Sequence, residues 1–193
     1  MVEVYLLRCH PGGLLAYRCV TGQLGVSETP DEAAARIGRI PPDGPGRAVA
    51  VHSTSWRHLS NGSIVLAYVV APDPVPGASA VPILSFEVPH GPRASRPSPP
   101  RLQHEQVAAH AARHLALVAD TNPHVGQVFA AYPELARSLG ALPRAAAGQL
   151  TTSQSLLKLQ SYCDLLALAS RLAVGRSGRP SWREDRDGDL HSA

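Results

Sequence analysis

Two runs rich in β-forming residues, RAVAVHSTSWRHL and SIVLAYVVA, flank the dipeptide Asn61-Gly62. No other feature restricts the fold as strongly, because Asn-Gly between such runs is the strongest short-range hairpin signal. Residues 47–71 are therefore expected to form two antiparallel strands. A two-residue turn sets Leu59 against Ile64, Arg57 against Leu66 and Ser55 against Tyr68. His52, Thr54, Trp56 and His58 then share a face with Val65, Ala67 and Val69. Ser53, Ser55 and Arg57 lie on the other face, close to Tyr68. Both faces mix polar and apolar groups, so the period leaves open which one meets the core.

The rest of the chain divides into a β-rich front and a helical back. Residues 2–8 and 14–20 read as strands, with Pro11, Gly12 and Gly13 marking the turn between them. Residues 28–40 carry a helix. Thr29 can cap it, Pro30 suits its first position, and Asp31 and Glu32 favour its positive end. Ala33, Ala34, Ile37 and Ile40 fall on one face, and Gly38 ends or weakens the helix early. A proline-rich connector over 72–82 leads to an expected strand at 83–88. Residues 89–101, richer still in Pro, Ser and Arg, read as a loop or linker.

Beyond it, 102–119 is helical by composition, and Asn122-Pro123 starts a second helix that runs to about residue 139. Pro133 should kink or split that second helix. A third helix is expected over 151–174, with Leu156, Leu159, Cys163, Leu166 and Ser170 near the spacing of a buried stripe. The predicted organisation is α+β: a β-rich region at 1–88, a linker or loop at 89–101, a helical region at 102–174 that packs on or extends the domain, and a disordered tail at 175–193.

A chain of 193 residues can bury a real core, but only 5% of it is aromatic against 44% hydrophobic, so Ala, Leu and Val must fill that core. Of 18 basic residues all but Lys158 are arginine. With Ala, Pro and Gly also abundant, this looks like codon bias from a GC-rich genome and says little about function. A net charge of +3 accommodates an anionic ligand. No basic stripe interleaves with aromatics, so nucleic acid is not an expected partner. The three cysteines, Cys9, Cys19 and Cys163, form no C-x-x-C pair and read as small buried groups of a reducing compartment. The first apolar run is too short for a signal sequence, and no segment approaches the roughly 20 apolar residues of a membrane span. The expectation is a cytoplasmic protein with no membrane partner.

Residues 22–40, GQLGVSETPDEAAARIGRI, hold the most specific motif. Five residues separate Gly22 from Glu28, and seven separate Glu28 from Arg36. With ETPDEAAAR as the helical lead-in, and with strand, strand, loop, helix and hairpin in that order over residues 2–71, the pattern resembles the first half of the Nudix hydrolase signature. The resemblance implies a Nudix-like mixed β-sheet with a helix after the second or third strand, plus a C-terminal helical region. In that family acidic residues on the helix hold Mg²⁺ beside a diphosphate, and the metal helps water attack phosphorus. The glutamates expected after the arginine are replaced here, where Ile37, Arg39 and Ile40 stand.

The resemblance thus implies a catalytically silent protein without a cofactor, acting as a ligand-binding, regulatory or accessory module. The alternative is a divergent Mg²⁺-dependent hydrolase of nucleoside-diphosphate-type compounds. It would keep Glu28 as a catalytic residue and draw other carboxylates from outside the box, for instance Glu87, Glu105 or Asp120.

The binding reading moves attention to the hairpin. Trp56 or Tyr68 would stack on a ring, Arg57 would meet an anion, and His52 lies in the same region. The expected ligand is small and anionic or nucleotide-like, and the helical region offers a surface for a second copy or a protein partner. His52-Ser53-Thr54 also matches one copy of the H-x-T/S pair of two-histidine phosphoesterases. The second copy is missing, because His114 lacks the hydroxyl and His191 sits in the tail. His110 and His114, four residues apart on one helix face, could grip a metal. They lack the glutamate of H-E-x-x-H and an evident third ligand, so no metal site is expected.

Overall fold

Val2–Cys9 forms β1, a strand paired along both edges. It runs antiparallel to β2 (Leu15–Gly22) and parallel to β4 (Ile64–Ala71). β3 (Ala50–His58) pairs antiparallel with β4, and the two-residue β5 (Val81–Pro82) pairs antiparallel with β2. The result is a mixed sheet in the order β3-β4-β1-β2-β5. Among the described residues four helices complete the α+β fold: α1 (Pro30–Gly38), α2 (His104–Val118), α3 (Pro123–Ala131) and α4 (Pro133–Gly140). The computed structural model describes residues 1–10, 12–42, 49–88 and 102–144. The expected loop at 89–101, the helix at 151–174 and the tail at 175–193 lie outside them. Among the described residues no helix is long and apolar enough to cross a membrane.

Strand alternation divides the core into two layers. Val2, Val4 and Leu6 of β1, with Tyr68 and Val70 of β4, pack on Ala33 and Ala34 of α1. On the other face Tyr5, Leu7, Tyr17, Ala67 and Val69 meet Val107, Ala108, Ala111 and Leu115 of α2, backed by residues of α3 and α4 such as Val128 and Leu139. The alanines keep α2 close to the sheet, which is how a chain poor in aromatics reaches a filled interior.

Helix α1 is shorter than the expected 28–40 because both of its ends are fixed by side chains and backbone. The Thr29 hydroxyl accepts the Glu32 N–H (3.3 Å), while the Glu32 carboxylate accepts the Thr29 N–H (2.7 Å). Arg39, in the left-handed region at φ +55°, turns the chain out after Gly38. Ile37 and Ile40 are only partly buried against the α1 core.

The hairpin forms, but not with the expected register. Leu59 and Ser63 close it across three residues: the Leu59 N–H bonds the Ser63 carbonyl (2.8 Å) and the Gly62 N–H bonds the Leu59 carbonyl (3.0 Å). A two-residue turn of the Asn-Gly type needs positive φ at both residues. Only Gly62 has it, at +82°, while the Asn61 side chain accepts the Ser63 N–H. His58, not Leu59, therefore faces Ile64; Arg57 faces Val65, and Ser55 faces Ala67. A bulge at Thr54 then shifts the register again, so that Ser53 meets Tyr68 and His52 meets Val69. The first shift moves Trp56 and His58 away from Val65, Ala67 and Val69, and the bulge leaves His52 on their face.

The strand expected over 83–88 is also absent. Pairing with β2 ends when the Ile83 N–H bonds the Leu15 carbonyl. The next two N–H groups, of Leu84 and Ser85, go to the Glu105 carboxylate at the start of α2, while Ile83 and Phe86 insert into the core. The helical region does split at Pro133, with Tyr132 between α3 and α4.

Gly22 has a packing role. A Cβ there would lie 2.7 Å from both Cγ1 and Cδ1 of Ile37, which lies against the end of β2. Overpacking of this kind costs about 1–3 kcal/mol. Gly22→Ala is therefore expected to destabilise the protein by about that amount in chemical denaturation. Ile37→Ala in the same chain should remove most of the added cost, giving a non-zero coupling in the double-mutant cycle.

Candidate functional site

The loop from β2 into α1 carries Glu28, the first turn of α1 carries Asp31 and Glu32, and each of these acids is held by a partner within the protein. The Glu28 carboxylate accepts Nε (2.8 Å) and Nη2 (2.7 Å) of Arg36, and also the Gly25 N–H (2.8 Å). Arg36 reaches the Gln23 carbonyl as well (3.0 Å), so one guanidinium ties the loop to the helix. These bonds, led by Arg36, hold the Glu28 carboxyl at a pKa of about 2, against an ordinary 4.5. Glu32 is lowered by the two bonds it receives from Thr29. Asp31 accepts the Tyr68 hydroxyl at 2.6 Å, and burial followed by that bond pushes the phenol up to about 12.

The four residues expected to bind a ligand do not converge. Tyr68 lies on the α1 face and is spent on Asp31. Trp56 is on the same face, 62% exposed, with its ring edge-to-face against His58 at 5.3 Å. Arg57 points to the α2 face, where it pairs with the buried Glu3 at 2.5 Å. His52 is on that face too, with its Nε2 3.3 Å from Nε2 of His114. The His52 and His114 rings stack at 5.2 Å, and His110 stacks on His114 at 5.9 Å. With the two nitrogens in direct contact, a phosphate cannot sit between them as the two-histidine mechanism requires.

The alternative carboxylates are scattered. Glu105 serves the Leu84 and Ser85 N–H groups, Asp120 pairs with Arg144, and Glu87 is exposed. Glu105 stands in the first turn of α2 and Asp120 lies just beyond its last residue, Val118, so the length of the helix separates them.

What the fold does form is a cleft of about 630 Å³ at the carboxyl ends of the parallel pair β1 and β4. Arg8 and Cys9 at the end of β1 line it with His10, as do Pro72, Asp73, Pro74 and Pro76 after β4, and Tyr132 and Glu134 at the α3–α4 junction. Its size is that of a small-molecule site, and strand carboxyl ends are where open sheets with parallel strands take ligands. Asp73 in its wall is neutralised by Arg18, which donates Nε (2.7 Å) and Nη2 (2.8 Å). Arg8 gives Nη1 to the Pro76 carbonyl (2.6 Å), and its buried Nε has no partner. The cleft is thus lined by the Arg8 guanidinium, the Glu134 carboxylate and the Tyr132 ring. No motif marks these residues in the sequence; the one signal was an arginine at the end of a buried apolar run.

Burial lowers the pKa of both His52 and His114, and for His114 the neighbouring His52 adds to the effect. The unfolded chain therefore takes up protons at these positions more readily than the folded one. Their contribution to stability is complete above about pH 6.5 and is lost as pH falls through that value toward the depressed folded pKa values. A fall in the thermal midpoint on acidification from about pH 7 to 5 is expected, and it should be smaller in His52→Gln.

In comparisons with known proteins, no protein-family model, no curated protein and no solved structure matches this chain.

Proposed function

We propose that this chain is a Nudix-like protein that binds a small anionic or nucleotide-like ligand without hydrolysing it, as a regulatory or accessory module. One observation carries the reading: Glu28, Asp31 and Glu32, the acids of the motif segment, are each engaged by a partner within the protein. A Mg²⁺–diphosphate complex needs carboxylates free to ligate, and the positions that would add them hold Ile37, Arg39 and Ile40. A mixed sheet with a helix after the second strand is consistent with the family resemblance. The cleft at the ends of β1 and β4 supplies the binding site, with Arg8 as its anion contact.

The test is a panel of nucleotides and nucleoside-diphosphate compounds, with and without Mg²⁺, read by thermal shift and by phosphate release. A metal-independent shift with one ligand class and no turnover is expected. Arg8→Ala should weaken that binding by about 10- to 100-fold, the range for loss of a charged hydrogen bond. Mg²⁺-dependent turnover that disappears in Glu28→Gln would overturn the silent reading. A panel with no response at all would leave a structural accessory protein.

A further inference from the structure

At the opposite end of β1 from the cleft, three elements bring together three different ligand types. Glu3 of β1 is buried, Cys19 of β2 is half-buried, and His104, the first residue of α2, is exposed. A carboxylate oxygen of Glu3, the Cys19 sulfur and a ring nitrogen of His104 all lie within 4.8 Å of one another. We propose that Glu3, Cys19 and His104 form a binding site for a zinc-type divalent cation.

The donor set selects the metal. A thiolate and an imidazole beside one carboxylate suit Zn²⁺ and similar borderline-soft ions, whereas Mg²⁺ and Ca²⁺ take oxygen ligands. Zinc bonds of 2.0–2.3 Å at tetrahedral angles put ligand atoms about 3.3–3.6 Å apart, so closing the site asks for movements of about 1 Å. Three protein ligands leave a fourth position, and the exposed ring of His104 puts the site at the surface.

The surrounding hydrogen bonds fit this assignment. Arg57 holds one oxygen of Glu3 at 2.5 Å, which fixes the carboxylate, and the other oxygen ligates once the metal displaces the hydrogen bond it accepts. That second oxygen accepts the Tyr5 hydroxyl (2.8 Å), which also lies 2.9 Å from Nδ1 of His104. The phenol has a single proton and gives it to Glu3, so Nδ1 of His104 is the donor in the metal-free protein. Metal at Nδ1 moves that ring proton to Nε2, on an exposed ring where water accepts it. The metal binds Cys19 as the thiolate, so the thiol proton goes to solvent as the sulfur–metal bond forms.

The test uses the full chain in equilibrium dialysis against Zn²⁺ and Co²⁺, under reducing conditions. Wild type should hold one equivalent that is lost in Cys19→Ser and weakened by more than about tenfold in His104→Gln, the loss that even outer-shell changes cause. The Co²⁺ form should show a near-ultraviolet thiolate-to-metal band that vanishes in Cys19→Ser and survives in Cys9→Ser. His104 is exposed, so His104→Gln should keep the wild-type circular dichroism and thermal midpoint without metal. No stoichiometric metal in wild type, equal loading in His104→Gln, or loading lost only in His52→Gln would each overturn the proposal. None of these outcomes bears on the cleft.

Discussion

Everything in this structure rests on β1 being enclosed on both edges and both faces. Its backbone groups are satisfied by β2 and β4, and its side chains alternate between the α1 layer and the α2 layer. Where the parallel ladder ends, the Asp73 N–H still bonds the Leu7 carbonyl (2.7 Å), so β1 also anchors the chain leaving β4. Arg18 of β2 then reaches across β1 to Asp73. Removing one member of such a buried pair costs about 3–5 kcal/mol, because the other is left charged without a partner. The floor of the cleft is thus set by the strand order of the sheet.

The same economy explains the motif. Gly22 is small because Ile37 lies against it, and Glu28 and Arg36 are opposite charges because they staple a loop to a helix. All three residues have a structural reason to be where they are without any catalysis. This is why a spacing typical of an enzyme family can describe architecture here while the acids beyond it are absent.

The elements were legible where one local signal sufficed. The Thr29 cap with Pro30, the Asn122-Pro123 start and the break at Pro133 are set by chemistry within a few residues, and each stands where the sequence predicts it. The hairpin was legible as a hairpin, but its register was not. Asn-Gly fits both a two-residue turn and a three-residue loop in which glycine alone takes positive φ, and nothing in the sequence marks the bulge at Thr54. Those two one-residue shifts decide which face receives Trp56 and which receives Arg57, so a binding surface read from alternation alone mixed residues from both sides. The cleft was less legible still. Arg8, Asp73 and Tyr132 come from three distant segments, and only the parallel pairing of β1 with β4 brings them together.

The bulge at Thr54 has a further consequence, for how this protein behaves in a crowd. β3 and β5 are the two edges of the sheet, where unpaired backbone groups invite strands from other molecules. On β3 the bulge breaks the regular ladder, and the Thr54 hydroxyl bonds the Ala67 carbonyl at 3.1 Å. β5 is two residues long, and one of them is Pro82, which has no N–H to offer. Among the described residues a neighbouring chain therefore finds no long, regular row of donors and acceptors on either edge. The irregularity that obscured the register also protects the sheet from edge-to-edge aggregation.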